Sequence, residues 1–244
     1  MKHLELSRIH VPKSSDVLAK ELRMRILSGD LPVGTPLPTE RDLVLQTGLS
    51  RSSVREALRL LEAENLVMTK PGRFGGSVAS RPGDDSLGHS LSLFVHGRGI
   101  SLLSLMQARE AIEPSLAALA AANRTDDQLA QLTLVTKRVE DAFEDVPLFL
   151  SENVQWHLAI AEASHNDLLR AVLNAIGNMV YKATATENFA SADVREQVTY
   201  AHRKILESIA EQKPDVAQRR MARHLAAVTA AFQSFPNAPL VLDF

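Results

Sequence analysis

The chain has 244 residues, a formal net charge of −2 and no cysteine. This length suits two compact domains or one large one, and the lack of cysteine excludes disulfides, thiolate metal sites and a cysteine nucleophile. No apolar run reaches the roughly 18 residues of a membrane span, and the N-terminal sequence lacks the apolar core of a signal peptide. We therefore expect a cytoplasmic protein that does not act at a membrane.

The N-terminal elements predict a winged helix-turn-helix. Apolar residues at helical spacing predict a helix over 15–28, Thr39 is the expected N-cap of a second helix, and Ser50 caps a third with the sequence RSSVREALRLLEAE. Two short β-like runs follow, Leu66–Thr69 and Ser77–Ala79, joined by a glycine-rich turn. Residues 1–81 carry 13 Lys and Arg against 9 Asp and Glu, whereas residues 82–244 carry 14 against 20. A basic first part is typical of a module that meets a polyanion.

The rest of the chain predicts helices only. Residues 80–101 carry Gly and Pro and little pattern, so we place the domain boundary there. Helices are then predicted at 102–122, 126–144, 146–164, 167–187, 192–212 and 214–234. The expected organisation is mostly α: a DNA-binding domain over 1–80, a linker over 81–101, an all-helical bundle over 102–235 and a C-terminal tail over 236–244.

The third helix has an apolar face and a basic face. Arg51, Ser52 and Arg55 lie at its N-terminal end on the outer side, where side chains of a helix in the major groove reach DNA. Arginine suits a bidentate contact with guanine, and serine suits a phosphate. A charged helix face is usually only solvated, but here the whole order of elements favours DNA binding. Arg41 on the preceding helix suits a phosphate contact, and Arg73 lies in the wing turn.

The stretch GTPLPTERDLVLQTGLSRSSVREALRLLEAENLVMTKPGRFGGSV resembles the DNA-binding domain of GntR-family bacterial transcription regulators. The resemblance covers residues 15–79 and implies DNA contacts from Arg41, Arg51, Arg55 and Gly72. It also implies a homodimer on a short palindromic operator in double-stranded DNA. A dimer agrees with the physics, because one such module offers few base contacts and two half-sites multiply the affinity.

Four polar side chains of the helical part are predicted to converge. Asn153 and His157 are four residues apart on one helix. If the turn before Pro214 joins antiparallel helices, His202 and His224 lie roughly 18 and 15 Å from it, at nearly the same level. Three imidazoles with one oxygen ligand suit a divalent transition metal. Any single histidine is more often a satisfied core or surface residue, so the spacing alone leaves both interpretations open.

Residues 102–234 resemble the FCD effector domain of the FadR-type branch of the GntR family, on the segments AREAIEPSLAALAA, NVQWHLAIAEASHNDLL and AHRKILESIAEQKPDVAQRRMARHL. The resemblance implies one Asp and three His as metal ligands, which map onto Asn153, His157, His202 and His224, with zinc or nickel as the expected ion. Asn153 stands where Asp is usual. An amide oxygen still coordinates but brings no charge, so either a carboxylate effector completes the site or the pocket holds no metal.

Three further residues are candidates for binding an effector. Arg109 matches an arginine of the first FCD helix and suits a carboxylate clamp, but a structural ion pair with Glu110 or Glu113 explains it equally well. Asn174 and Asn178 are four apart on an apolar helix, where they either line the same cavity or satisfy internal contacts.

The sequence therefore predicts a transcription regulator, in most such proteins a repressor, whose operator affinity is controlled by a small carboxylate. It does not predict an enzyme. One alternative is a metal-dependent hydrolase or lyase that uses the histidine cluster on bound water. Another is a structural DNA-binding dimer in which a metal only stabilises the fold.

Overall fold

The computed structural model describes residues 11–70, 76–184 and 191–233. The described residues form ten helices and one two-stranded sheet, and the chain divides into two compact units, Met1–Ser86 and Leu87–Phe244. The mostly helical fold class predicted from the sequence is confirmed. Within the described part of the chain, no helix is both long and apolar enough to span a bilayer.

The first unit contains three helices and a hairpin. They are α1 (Ser14–Ser28), α2 (Glu40–Thr47), α3 (Arg51–Ala63), β1 (Val67–Lys70) and β2 (Gly76–Ala79). The side-chain oxygens of Thr39 and Ser50 accept hydrogen bonds from the first turns of α2 and α3, so both predicted caps are present. Gly48 ends α2 with a φ of +69°, which is costly for residues with a Cβ atom.

The hairpin is tied to the segment between α1 and α2. β1 and β2 are antiparallel, and the Leu37 N–H donates to the Ser77 carbonyl at 2.8 Å. The Ala79 N–H donates to the Thr35 carbonyl at 2.9 Å, so this proline-rich segment is hydrogen-bonded to β2. The tip of the wing, with the predicted DNA contacts Gly72 and Arg73, lies outside the described residues.

Seven helices follow: α4 (Asp84–Gly97), α5 (Leu102–Asn123), α6 (Asp126–Asp141), α7 (Val146–Ala163), α8 (Asp167–Thr184), α9 (Ala192–Ala210) and α10 (Pro214–Gln233). The last six agree with the predicted bundle helices to within a few residues. A capping box begins α6, with the Thr125 and Gln128 side chains bonded to each other's backbone N–H. α10 packs against both α5 and α9, and α7 packs against α5, α6 and α8.

The segment 81–101, predicted as a linker with little pattern, is mostly helical, because α4 occupies most of it. Leu91 and Val95, one helical turn apart, pack in an apolar cluster with Met106 and Val180. Glycines in this segment mask the helical spacing of its apolar residues in the sequence. The helix is stabilised by burial against the bundle rather than by its own residue preferences.

The core of the first unit supplies a stability test. Leu61 on α3 is fully buried, whereas Leu45 on α2 is 72% exposed. We expect Leu61→Ala to lower the unfolding free energy of this unit by about 2–5 kcal/mol, because it leaves a cavity, and Leu45→Ala to change it by less than about 0.5 kcal/mol. Chemical denaturation of the full chain followed by circular dichroism measures both. Equal losses for the two variants would contradict the assigned core.

Candidate functional site

Three histidines from three helices meet inside the second unit. His157 lies on α7, His202 on α9 and His224 on α10, and all three side chains are buried. Their rings lie 5.0–5.6 Å apart between centroids, and one ring nitrogen from each lies within 4.8 Å of the others. The turn between α9 and α10 makes these helices antiparallel neighbours and so brings His202 and His224 to one level.

His202 is the most enclosed member of the cluster. Its ring stacks on the indole of Trp156 with 3.5 Å between centroids, and the Trp156 Nε1–H donates to the Thr136 hydroxyl at 2.9 Å. Neither ring nitrogen of His202 has a hydrogen-bond partner among the described residues. A buried polar group without a partner costs roughly 1–3 kcal/mol, so this arrangement needs a reason other than stability.

Burial also keeps the imidazoles neutral. Desolvation lowers the pKa of His202 well below its ordinary value, and the neighbouring histidines add to the effect. Desolvation likewise lowers the pKa of His224 to about 3. For His157, desolvation lowers the pKa despite the opposing charge of Glu113. Three neutral imidazoles with available lone pairs are the form in which histidine binds a metal ion.

Glu113 on α5 forms a chain of contacts with Arg109 and His157. One carboxylate oxygen accepts a hydrogen bond from Arg109 Nε at 2.5 Å, and the other lies 2.5 Å from His157 Nδ1. Burial raises the pKa of Glu113, but the charge of Arg109 and the contacts with Arg109 and His157 outweigh it and bring that pKa to about 2. The ion pair between Arg109 and Glu113, one of the two interpretations of Arg109 from the sequence, is therefore present. Glu113 is ionised although it is buried in the bundle.

A cavity of about 70 Å³ opens beside the cluster. Its polar lining comes from Arg109, Asn153, His157, Arg195 and His224, together with Tyr181, and the other described lining residues are apolar. The Asn153 Oδ1 atom is buried and has no hydrogen-bond partner among the described residues. Arg109 thus lines the cavity while it is bonded to Glu113, so the clamp and ion-pair interpretations do not exclude each other.

The two remaining effector candidates do not gain support from this geometry. Asn174 lies on α8 and is not among the described residues that line the cavity. The side chain of Asn178 lies outside the described part of the chain.

The donor set fits a divalent transition metal. Nitrogens bound at about 2.1 Å in a tetrahedral zinc site lie about 3.4 Å apart, so imidazole nitrogens that now lie within 4.8 Å of one another need to close by at most about 1.4 Å. The buried, unpartnered atoms of His202 and Asn153 are the kind of donor that such an ion satisfies. His157, His202 and His224, with the amide oxygen of Asn153, would hold it.

The basic face of α3 is exposed as predicted from its pattern. Arg51 and Ser52 lie in the first turn and are open to solvent, as is Arg41 on α2. Arg55 is also exposed, but its Nε donates to a Glu40 carboxylate oxygen at 2.8 Å, a pairing that the sequence did not predict. The opposite face of the helix is buried through Val54, Ala57, Leu58 and Leu61.

Sequence reasoning missed three residues of the cavity region. Glu113 was considered only as an ion-pair partner of Arg109, and its spacing of four residues from Arg109 was the available signal. Trp156 beneath His202 and Arg195 in the cavity wall had no such signal. Arg195 reaches the wall across Phe143, with its guanidinium carbon 4.9 Å from the ring centroid.

Comparisons with known proteins agree with this division of the chain. Residues 14–74 match the family of bacterial regulatory proteins called the gntR family, and residues 104–227 match the FCD domain. The HTH-type transcriptional repressor NanR of Salmonella arizonae is 30% identical over 229 residues, covering 91% of this chain and 86% of that protein. The NanR repressor of Salmonella typhimurium is 30% identical over 228 residues, covering 91% and 85%.

Among solved structures, a GntR protein of Streptococcus agalactiae superposes with a TM-score of 0.71. It is 28% identical in sequence, and the match covers 89% of this chain and 99% of that one. The likeness therefore extends over both compact units.

Because the two ring nitrogens of His202 have no hydrogen-bond partner among the described residues, we expect that replacing this histidine does not destabilise the metal-free protein. In chelator-treated protein, His202→Leu should unfold at the same or a higher temperature than the unmodified chain, because leucine has a similar volume and carries no buried polar atoms. His89→Leu, at an exposed histidine of α4, is the control and should leave the unfolding temperature unchanged. Calorimetry measures both, and a large destabilisation by His202→Leu alone would mean that these nitrogens are already satisfied.

Proposed function

Because the chain belongs to the GntR family of bacterial regulatory proteins and carries an FCD domain, we propose that it represses transcription by binding operator DNA and that a small carboxylate controls this binding. The main observation in support of effector binding is the cavity beside the histidine cluster, with Arg109 and Arg195 in its wall. The repressors among its relatives support the direction of regulation.

On the DNA side, the division of α3 into a buried face and an exposed basic face supports groove binding. We assign base and phosphate contacts to Arg41, Arg51, Ser52 and Arg55, and wing contacts to Gly72 and Arg73. The unit works as one half of a homodimer on a palindromic operator in double-stranded DNA. Two linked modules gain affinity because the second binds at a high effective concentration.

On the effector side, charge supports an anion. Arg109 and Arg195 bring two positive charges to the cavity wall, and the adjacent Glu113 brings one negative charge. The histidines are neutral and Asn153 carries no charge, so the charged groups of the described cavity region are these two guanidiniums and the Glu113 carboxylate. A guanidinium binds a carboxylate through two parallel hydrogen bonds, so Arg109 is the expected clamp. The effector class is a hydroxy acid, sugar acid or dicarboxylate, because two guanidinium groups are among the described residues that line the cavity.

His157, His202, His224 and Asn153 would hold zinc or nickel next to this clamp. When bound, the ion supplies positive charge that a carboxylate oxygen can neutralise. Effector binding and operator binding are coupled, and the coupling is reciprocal, so operator DNA changes the effector affinity by the same factor.

The enzyme alternative is not favoured, because the relatives are transcriptional regulators and Asn153 offers no general base. The structural alternative, a DNA-binding dimer with a non-regulatory metal, differs from our proposal in one measurement. Operator fragments selected from random DNA would be titrated with the full chain in the presence of a panel of hydroxy acids, sugar acids and dicarboxylates. If no acid changes the operator affinity, the regulatory part of the proposal fails.

The DNA assignment predicts a specific variant effect. Arg51→Ala should weaken operator binding by about 1–3 kcal/mol and relax the base preference at one position of each half-site, because it removes a bidentate base contact. Arg59→Ala removes the same charge further along α3, at another exposed position. It should change affinity less and leave the base preference intact. Binding measured on operator variants distinguishes the two, and identical behaviour would contradict the recognition-helix assignment.

The metal assignment predicts the composition of the purified protein. We expect about one zinc or nickel ion per chain, and His202→Ala should lose it together with the response to the acid. Operator binding without effector should be retained, since α3 belongs to the other compact unit. Elemental analysis and DNA titration measure these outcomes, with His89→Ala as the control. Unchanged metal content in His202→Ala would show that the ion binds elsewhere.

A further inference from the structure

Glu113 occupies an unusual place in the bundle. It is the one acidic side chain that is buried among the described residues, with 1% of its surface exposed. It lies on α5, whereas the three histidines lie on α7, α9 and α10. The contact of 2.5 Å from its carboxylate to His157 Nδ1 connects α5 directly to the cluster.

The two carboxylate oxygens have different partners. Oε1 accepts a hydrogen bond from Arg109 Nε, and Oε2 lies 2.5 Å from His157 Nδ1, so the carboxylate contacts a different residue on each side. A carboxylate at Nδ1 leaves Nε2 of His157 as the nitrogen that faces an ion. A histidine whose second nitrogen is held by a carboxylate is a better-oriented and more basic metal ligand.

We propose that Glu113 is a positioning residue for His157 and that it supplies, from outside the ligand set, the negative charge that Asn153 does not bring. Asn153 and His157 are one turn apart on α7, and both line the cavity. A metal held by three neutral imidazoles and an amide has no anionic ligand, and among the described residues Glu113 is the buried acidic side chain that contacts this set, through His157. This inference rests on the metal site of the proposed function and adds a residue that the ligand set does not include.

A simpler role for Glu113 is to neutralise Arg109 and nothing more. The ion pair between them accounts for one oxygen of Glu113 and for its burial. It does not account for the second oxygen, which faces the histidine cluster. The two roles differ in their effect on metal affinity, because a purely structural ion pair does not set the affinity of a site that it does not face.

The test compares Glu113→Gln with Glu110→Gln in the full-length protein. Glu110 lies three residues earlier on α5 and is partly exposed, so its change is chemically identical but away from the cluster. Affinities for Zn²⁺ and Co²⁺ are measured by competition with a chelator. Trp156, the only tryptophan of the chain, stacks on His202, so Co²⁺ quenching of its fluorescence gives an independent signal. We expect a loss of about 10- to 100-fold for Glu113→Gln and less than about twofold for Glu110→Gln.

Asn153→Asp tests whether the charge is what matters. It places a carboxylate in the ligand set, so it should raise metal affinity more in the Glu113→Gln background than in the unmodified chain. An equal gain in both backgrounds would overturn charge compensation. If Glu113→Gln does not fold by circular dichroism, Glu113→Asp keeps the charge but withdraws it from His157, and it should weaken metal binding by about 10-fold.

The outcomes separate this inference from the proposed function. Metal affinity unchanged in Glu113→Gln, or in Glu113→Asp, overturns the role of Glu113 and leaves the metal site standing. Failure of the unmodified chain to bind Zn²⁺ or Co²⁺ overturns both the inference and the metal part of the proposed function. If Glu113→Gln lowers the metal affinity, Glu110→Gln does not, and Asn153→Asp restores it, both the inference and the metal part of the proposed function are supported.

Discussion

Burial of polar side chains in a bundle of mostly apolar helices is the constraint on which the rest of the second unit depends. Apolar walls exclude water, so the three histidines lose their charge. The same walls would also neutralise Glu113, were it not for Arg109 and His157 on either side of its carboxylate. The bundle thus holds neutral nitrogen donors beside one fixed negative charge. That combination is poor for stability and well suited to holding a cation or an anionic ligand.

The polar groups of the bundle support the proposed ligand site. His202 keeps two buried nitrogens without partners among the described residues, although an apolar side chain of similar volume would fill the same space. Natural chains retain such groups where function requires them. Asn153 adds another buried atom without a described partner on the neighbouring turn of α7, and the cavity lies next to both His157 and His224.

The first unit follows the opposite rule, because its functional side chains are exposed. Arg51 and Arg55 stand on the outer face of α3, and burial of the opposite face holds the helix in place. The Arg55–Glu40 ion pair is open to solvent. Exposed ion pairs contribute about 0–1 kcal/mol, so binding to a phosphate or a base can replace this one at little cost. The pair therefore orients Arg55 without preventing contact with DNA.

The sequence by itself determined the helices, their caps and the order of the two units, because helical spacing, Thr39, Ser50 and the Thr125–Gln128 box act over a few residues. It also indicated the histidine cluster, because one tight turn relates His202 to His224. Only the tertiary structure decided what surrounds the cluster. Helix α4 is stabilised by burial against the bundle. The contacts of Glu113 with His157 and of Trp156 with His202 join residues 44 and 46 positions apart, through packing that no local pattern encodes.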